Sequence, residues 1–350
     1  MDRICGTLAG AGHTVTLVGR KLPDSLPLGE RPYATRRLAC RHRRGKRFYA
    51  EYNYRLRRAF SGRDYDAINA VDLDTLAAGV ALTVGRRAKL VFDAHEWFSE
   101  TPEVVHRPLV QAAWRNLGRL LVPRTDARYT VAPGLADLLA YEYGVPFATV
   151  RNAPPLARPA PPAVGFPHTE RRVLLYQGML NPGRGLAEAV TALAQLPDYE
   201  LWIVGHGPEE GAVRRRIAET GTGDRVWLAG FRPPHELPAF TERAWLGLNL
   251  LAAGSPSYYH SLANKAFDYP HAGRPSVQMR YPEYERLQRQ YGCYFLLPEL
   301  AAPALVATVR QVGADPAAYA RAQRGCDAFR AAVNWEAEAV RLVKIYEGLA

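Results

Sequence analysis

Strand-like apolar runs alternate with helical patterns along most of this 350-residue chain, and the alternation stops once and restarts. The first set of runs lies at 14–18, 67–70, 89–92, 128–131 and 148–151, with helical spacing between them, most clearly at 74–84 and 109–122. A second set lies at 173–176, 201–204, 226–229, 246–251 and 276–279. Alternating strands and helices predict parallel, doubly wound sheets, because parallel neighbours need a crossover that a helix supplies. Between the two sets stands Asn152-Ala-Pro-Pro-Leu-Ala-Arg-Pro-Ala-Pro-Pro162, too rich in proline for either element and read as a linker. Two domains of roughly 150–180 residues are therefore expected.

Hydrophobic residues make up 48% of the chain, an ordinary share for a globular enzyme. No apolar run approaches the roughly 18–20 residues needed to span a bilayer, and no secretory signal is visible. Cys5, Cys40, Cys293 and Cys326 lack CxxC spacing, which argues against zinc or a disulfide framework and fits a reducing cytoplasm. The net charge of +11 calls for an anionic partner: nucleic acid, phospholipid or a phosphorylated substrate. The charge is uneven. Arg36, Arg37, Arg41, Arg43, Arg44, Lys46 and Arg47 precede Phe48, Tyr49, Tyr52 and Tyr54. Basic and aromatic residues so interleaved suit an RNA surface, a helix lying on anionic lipid, or a solvated loop and helix face.

Chemistry concentrates in the second half. In Ser261-Leu-Ala-Asn-Lys-Ala-Phe-Asp-Tyr269, Asn264 and Asp268 share one face of an expected helix, with Lys265 at its border. A helix N-terminus favours anions, Lys265 adds a full charge, and Asp268 suits vicinal sugar hydroxyls. Such a set fits a nucleotide diphosphate with its ribose, or else an amphipathic helix with a solvated Lys–Asp pair. Glycine turns follow two of the strand-like runs. Gly178-Met-Leu-Asn-Pro-Gly-Arg-Gly185 offers close backbone approach and the charge of Arg184; Gly205-His-Gly-Pro-Glu-Glu210 places Pro208 at an expected first helical position.

Taken in order, these segments resemble the retaining glycosyltransferases of the GT-B fold, family 4 (glycosyl transferases group 1), over nearly the whole chain. Tyr176-Gln-Gly178 with Arg184-Gly185 is similar to the family's donor-diphosphate loop, and 201–207 to its L-x-I-x-G-x-G strand end. Ser261 to Tyr269 is similar to the S-L-P-N-K-x-F-E-Y version of its E-x7-E element. Leu90-Val-Phe-Asp-Ala-His-Glu96 resembles the strand end that carries the donor-side histidine. Asn334-Trp-Glu336 before a last amphipathic helix matches the family's usual ending. The resemblance implies two Rossmann-like domains facing a cleft. The expected division is an N-terminal acceptor-side domain at 1–152, a linker at 153–171, a nucleotide-sugar domain at 172–333, and a helix at 334–350 packing back on the first domain.

The resemblance also implies roles. His95 meets the donor sugar at the reaction centre, and Gly178, Arg184, Gly205, Asn264, Lys265 and Asp268 bind the donor. From the residues themselves, His260 is a donor-side candidate in place of the missing glutamate, Asp72 an acceptor-side one, and Asp93 and Glu96, which flank His95, either fix its tautomer or shape the acceptor site. Asp72-Leu-Asp74 fits the metal-binding DxD pattern, but it ends a first-domain strand and reads as a cleft or helix-capping site. No metal and no cofactor beyond the nucleotide-diphosphate sugar is implied. Three departures stand out: His260 replaces the first glutamate of E-x7-E and Asp268 the second, Met179 occupies a position often basic, and the chain opens on what reads as the family's first helix, so that its first strand is expected to be missing.

The function implied is transfer of a sugar with retention to a glycan or lipid-linked acceptor, in cell-envelope polysaccharide or glycolipid synthesis. The expected location is cytoplasmic or peripheral on the inner face of the membrane. A nucleotide-sugar 2-epimerase of the same fold, a catalytically dead relative and a basic nucleic-acid-binding protein remain the alternatives.

Overall fold

The computed structural model describes every residue except Asp24, Leu26, Arg158, Pro159 and Ala350. The chain forms two compact units, one of residues 1–151 with 335–350 and one of residues 152–334. Arg158 and Pro159 of the proline-rich segment, and Ala350 of the last expected helix, lie outside the described residues.

In the first unit the order is α1 (Asp2–Gly10), β1 (Thr16–Lys21), β2 (Ala34–Ala39), α2 (Gly45–Phe60), β3 (Ala67–Val71), α3 (Asp72–Thr83), β4 (Lys89–Ala94), α4 (Pro102–Val105), α5 (Pro108–Leu121), β5 (Ala127–Thr130), α6 (Pro133–Tyr143) and β6 (Ala148–Thr149). β3-β4-β5-β6 form a parallel sheet, and β1 and β2 pair separately, also in parallel. β4 is the buried centre, as an apolar parallel strand covered on both faces must be. The last helix of the chain, at Trp335–Glu347, belongs to this unit. Its Trp335 and Leu342 pack with Ile4 and Leu8 of α1 and with Val91 of β4, and Trp335 Nε1 donates to Thr7 Oγ1 at 2.9 Å.

The second unit runs β7 (Arg172–Gln177), α7 (Leu186–Leu193), β8 (Tyr199–Val204), α8 (Glu210–Thr220), β9 (Val226–Gly230), α9 (Leu237–Arg243), β10 (Leu246–Asn249), α10 (Pro256–Tyr259), α11 (Asn264–His271), β11 (Ser276–Met279), α12 (Pro282–Tyr291), β12 (Tyr294–Leu297), α13 (Ala302–Ala314) and α14 (Pro316–Ala332); the Trp335–Glu347 helix of the first unit is α15. Its sheet is parallel throughout, in the order β12-β11-β10-β7-β8-β9. The order in which strands are added therefore reverses between β7 and β10, the junction outside whose carboxyl ends open α/β sheets bind ligands. Tyr269 of α11 ties that junction together. Its hydroxyl donates to the carbonyls of Leu175 in β7 and Leu248 in β10, at 2.9 and 3.1 Å. Its ring lies so close over Gly247 that a Cβ there would come within 2.4 Å. Before β7, Val164 and Phe166 pack on Trp202, Trp227 and Phe240, so this stretch of the proline-rich region is held against the sheet.

Three local expectations change. β2 runs through Arg36 and Arg37, whose charges mask an alternating half-buried strand. β12, the apolar run Tyr294–Leu297 after Cys293, adds a strand beyond the five expected in the second set. Pro208 stands in a turn two residues before α8 begins and not at its first position.

Candidate active site

β7 ends at Gln177, and Gly178 leaves the sheet with φ 137°, a region closed to most side chains. The second turn presses against the first. A Cβ on Gly205 would lie 1.9 Å from the Gly178 carbonyl oxygen, and one on Gly207 would lie 2.6 Å from the Leu180 oxygen. Gly205 is therefore required by contact between two backbone turns. Gly185, with φ 66°, caps α7 and leaves no room beside Leu250.

α11 starts at Asn264, so Asn264, Lys265 and Asp268 do occupy its first turns. Lys265 is not solvated. Its side chain is buried, with Nζ 4.7 Å from the centre of the Tyr176 ring and 3.6 Å from where a Cβ on Gly178 would be. Burial and then the nearby Arg184 push its ammonium down to about 7, and Asp268 opposes them only in part. Arg184 lies over the ring of Tyr258 at 4.6 Å, and its Nε is buried without a hydrogen-bond partner. Among the described residues neither cation makes an ion pair with a carboxylate. A buried lysine and a half-buried arginine stacked on tyrosines, neither ion-paired to a carboxylate among the described residues and only Asp268 partly offsetting the charge, make a receptacle for an anion.

The surrounding groups are polar and oriented. Asp268 Oδ2 accepts from Gln177 Nε2 at 3.4 Å, and Gln177 Oε1 accepts from Thr241 Oγ1 at 3.0 Å. Asn264 Oδ1 accepts from Asn152 Nδ2 at 2.8 Å. His260 ends α10 edge-on to Tyr259, and burial pushes its imidazole down. Sequence reasoning did not single out Tyr176, Tyr258 or Gln177 as site residues; aromatic residues beside two cations were the only available signal.

The first unit holds a second cluster. His95 follows β4; its Nε2 lies 3.1 Å from Oδ2 of Asp93, which is 1% exposed, and its backbone N–H donates to Asp72 Oδ1 at 2.8 Å. Asp72 opens α3 with φ 55°, the one positive φ among described residues other than glycine. It caps no N–H of its own helix; its carboxyl serves the His95 loop instead. Burial raises Asp72 to about 8, against the pull of His95, and the same burial raises Asp74 to about 6. Burial works to lower His95, but the Asp93 hydrogen bond and charge, with Asp72, raise it overall. Glu96 stands exposed beside them.

The basic cluster spans three elements. Arg36 and Arg37 lie on β2, Arg41, Arg43 and Arg44 on the following turn, and Lys46 and Arg47 at the start of α2. Arg36 stacks on Phe60. Glu51 accepts the backbone N–H groups of Arg41 and His42, both at 2.9 Å, and these bonds hold its carboxyl well below the usual range. The turn is thus built, while Arg41, Arg43, Arg44, Lys46 and Arg47 stay exposed. Among the described residues no helix is long and apolar enough to cross a membrane, and no group of three or more His, Cys, Asp and Glu is placed to hold a metal ion.

Residues 1–158 match the sequence family described as Glycosyltransferase Family 4, and residues 162–324 match Glycosyl transferases group 1. The lipopolysaccharide core biosynthesis glycosyltransferase LpsD of Rhizobium meliloti is 28% identical over 140 residues, 38% of this chain; the match spans 36% of LpsD. Sucrose-phosphate synthase from Thermosynechococcus elongatus superposes with a TM-score of 0.81 at 20% identity, over 99% of this chain and 92% of that one. Anabaena HepE, solved in complex with UDP, superposes with a TM-score of 0.68 at 15% identity, over 91% and 87% of the two chains. Two Rossmann-like units, the 3-2-1-4-5-6 strand order of the second and these matches agree: the chain belongs to the GT-B glycosyltransferases of family 4, the glycosyl transferases group 1.

Proposed function

We propose that this glycosyltransferase moves a sugar from a nucleotide-diphosphate sugar to a glycan or lipid-linked acceptor with retention of anomeric configuration, in cell-envelope polysaccharide or glycolipid synthesis. The observation that carries the reading is the pair of cations without an ion pair among the described residues, buried Lys265 and half-buried Arg184, at the switch point of the second unit's sheet. A diphosphate supplies the missing charge. The N-terminus of α11 adds its free N–H groups, and Asp268, oriented by Gln177, suits the ribose hydroxyls. The UDP complex of HepE supports a nucleotide donor, and the name of LpsD supports an envelope product.

In this reading the bond from the anomeric carbon to the diphosphate breaks while the acceptor oxygen bonds from the same face. The acceptor's proton passes to a leaving phosphate oxygen. Arg184 and Lys265 stabilise the charge that develops on the diphosphate, which is the electrostatic task other transferases give to a metal ion. The proposal includes neither a metal nor a further cofactor. His95 addresses the donor sugar, Asp72, Asp93 and Glu96 the acceptor side, and His260 the sugar from the second unit. The exposed basic turn faces anionic lipid at the inner face of a membrane, as a peripheral attachment.

The test is a donor screen with UDP-glucose, GDP-mannose and ADP-glucose, followed by NMR of the transfer product made with EDTA present. Turnover in EDTA and a product anomer matching the donor are expected. Inversion, or activity restored only by magnesium or manganese, would overturn the mechanism.

A further inference from the structure

The cluster around His95 contains more order than a lone donor-side histidine requires. One ring nitrogen, Nε2, is committed to the buried carboxylate of Asp93 at 3.1 Å. The other, Nδ1, makes no hydrogen bond among the described residues, and the side chain is 29% exposed. The backbone of the same residue is held separately, by the 2.8 Å bond from its N–H to Asp72. The same Asp72 has a left-handed backbone, uncommon outside glycine, although aspartate and asparagine enter it more readily than other residues.

Resting on the transferase reading above, we infer that Asp93 and Asp72 are positioning residues which present His95 to the donor through Nδ1, as a hydrogen-bond donor and not as a base. Asp93 fixes the ring by accepting from Nε2–H. A carboxylate on that side favours the doubly protonated ring, in which Nδ1 carries a proton and offers it to a sugar or phosphate oxygen. Asp72 fixes the main chain from which the ring projects. The groups facing His95 are Asp72 from α3, Asp93 from β4, and the ammonium of Met1 before α1, which alone among them opposes the charge. Glu96 faces Asp72, while Cys5 of α1, Tyr129 of β5 and Tyr346 of α15 face Asp93. The balance raises His95, so the doubly protonated form persists to higher pH than in an ordinary histidine and is lost as pH rises through the raised value.

The test is a pH titration of the full chain labelled with 15N in its histidine rings, the His95 signals being assigned by their absence in His95→Gln. Both ring nitrogens of His95 should be protonated at pH 7. Asp93→Asn should move the titration to lower pH by about one unit or more. Asp72→Asn, which still accepts the backbone N–H, should leave the titration near that of the parent. A bare Nδ1 at pH 7, or a titration untouched by Asp93→Asn, would overturn the inference; if that variant does not fold, the parent titration decides alone. Turnover of UDP-glucose adds the kinetic readout, with the alkaline limb of kcat shifted down in Asp93→Asn and KM unchanged. The NMR measurement needs no donor, so failure of this inference and failure of the transferase reading are distinguishable.

Discussion

The ammonium of Lys265 lies 4.7 Å from the centre of the Tyr176 ring, buried and within the field of a second cation, Arg184. Such an arrangement destabilises the empty protein. Between about pH 7 and the ordinary lysine range near 10.4, the unfolded chain binds a proton that the folded chain has shed, so stability rises with pH across that window. Lys265→Met should remove this slope and raise stability at pH 7 by about 1 kcal/mol or more, while donor affinity falls by about 1.5–3 kcal/mol. Thermal melts with and without nucleotide check both. A variant that loses stability together with affinity would make Lys265 structural.

The contact of Gly205 with the Gly178 carbonyl gives a second prediction. Gly205→Ala must separate two backbone turns and should cost more than about 2 kcal/mol and abolish donor binding. Gly221→Ala is the control: its φ is 65° with open space around it, so only the backbone conformation is strained, at about 1–2 kcal/mol. Denaturant midpoints for the two variants should differ accordingly, and equal costs would deny the contact its importance.

Asp72→Gly separates backbone comfort from chemistry. Glycine accepts φ 55° readily, a relief of about 1–2 kcal/mol that loss of the bond to the His95 N–H offsets, so stability should change by no more than about 1 kcal/mol. The His95 N–H loses its acceptor, and kcat should fall about tenfold or more. Unchanged kcat would leave the strained residue without a part in turnover.

The basic turn predicts attachment to anionic lipid. Each exposed arginine contributes about 1 kcal/mol near such a surface, screened beyond roughly 8 Å at physiological salt. Vesicle sedimentation should depend on anionic lipid, fall with salt and drop sharply when Arg41, Arg43 and Arg44 become glutamate. Equal binding to neutral and anionic vesicles would contradict this.

Much of the fold was legible in periodicity, because each parallel strand is a short apolar run and each crossover a helical one. The strand β2 shows where periodicity fails. β2 carries Arg36 and Arg37, whose stems and rings pack while their charges reach solvent, and an apolar pattern does not register them. The start of α11 was readable from local spacing, and so was the identity of Lys265. Its burial was not, since it depends on Tyr176, nearly ninety residues earlier in the chain, and on Arg184. The same holds for Gly205. Its neighbour across the fold, not its own φ alone, makes a side chain impossible there. Asp72 matched a metal-binding pattern in sequence, yet its carboxyl reaches the His95 backbone, a link made by the pairing of β3 with β4.

The central claim is that Lys265 and Arg184 hold the donor's diphosphate, and calorimetry tests it most directly. UDP, GDP and ADP should be titrated into the parent chain, Arg184→Ala and Lys265→Ala in two buffers of different ionisation enthalpy. At least one nucleotide should bind the parent chain, with proton uptake near and above pH 7 because the diphosphate raises the Lys265 ammonium from about 7. Its affinity should weaken as pH rises, and each variant should lose about 1.5–3 kcal/mol of binding, with the uptake gone in Lys265→Ala. Affinity unchanged in both variants, or binding without proton uptake, would contradict the account.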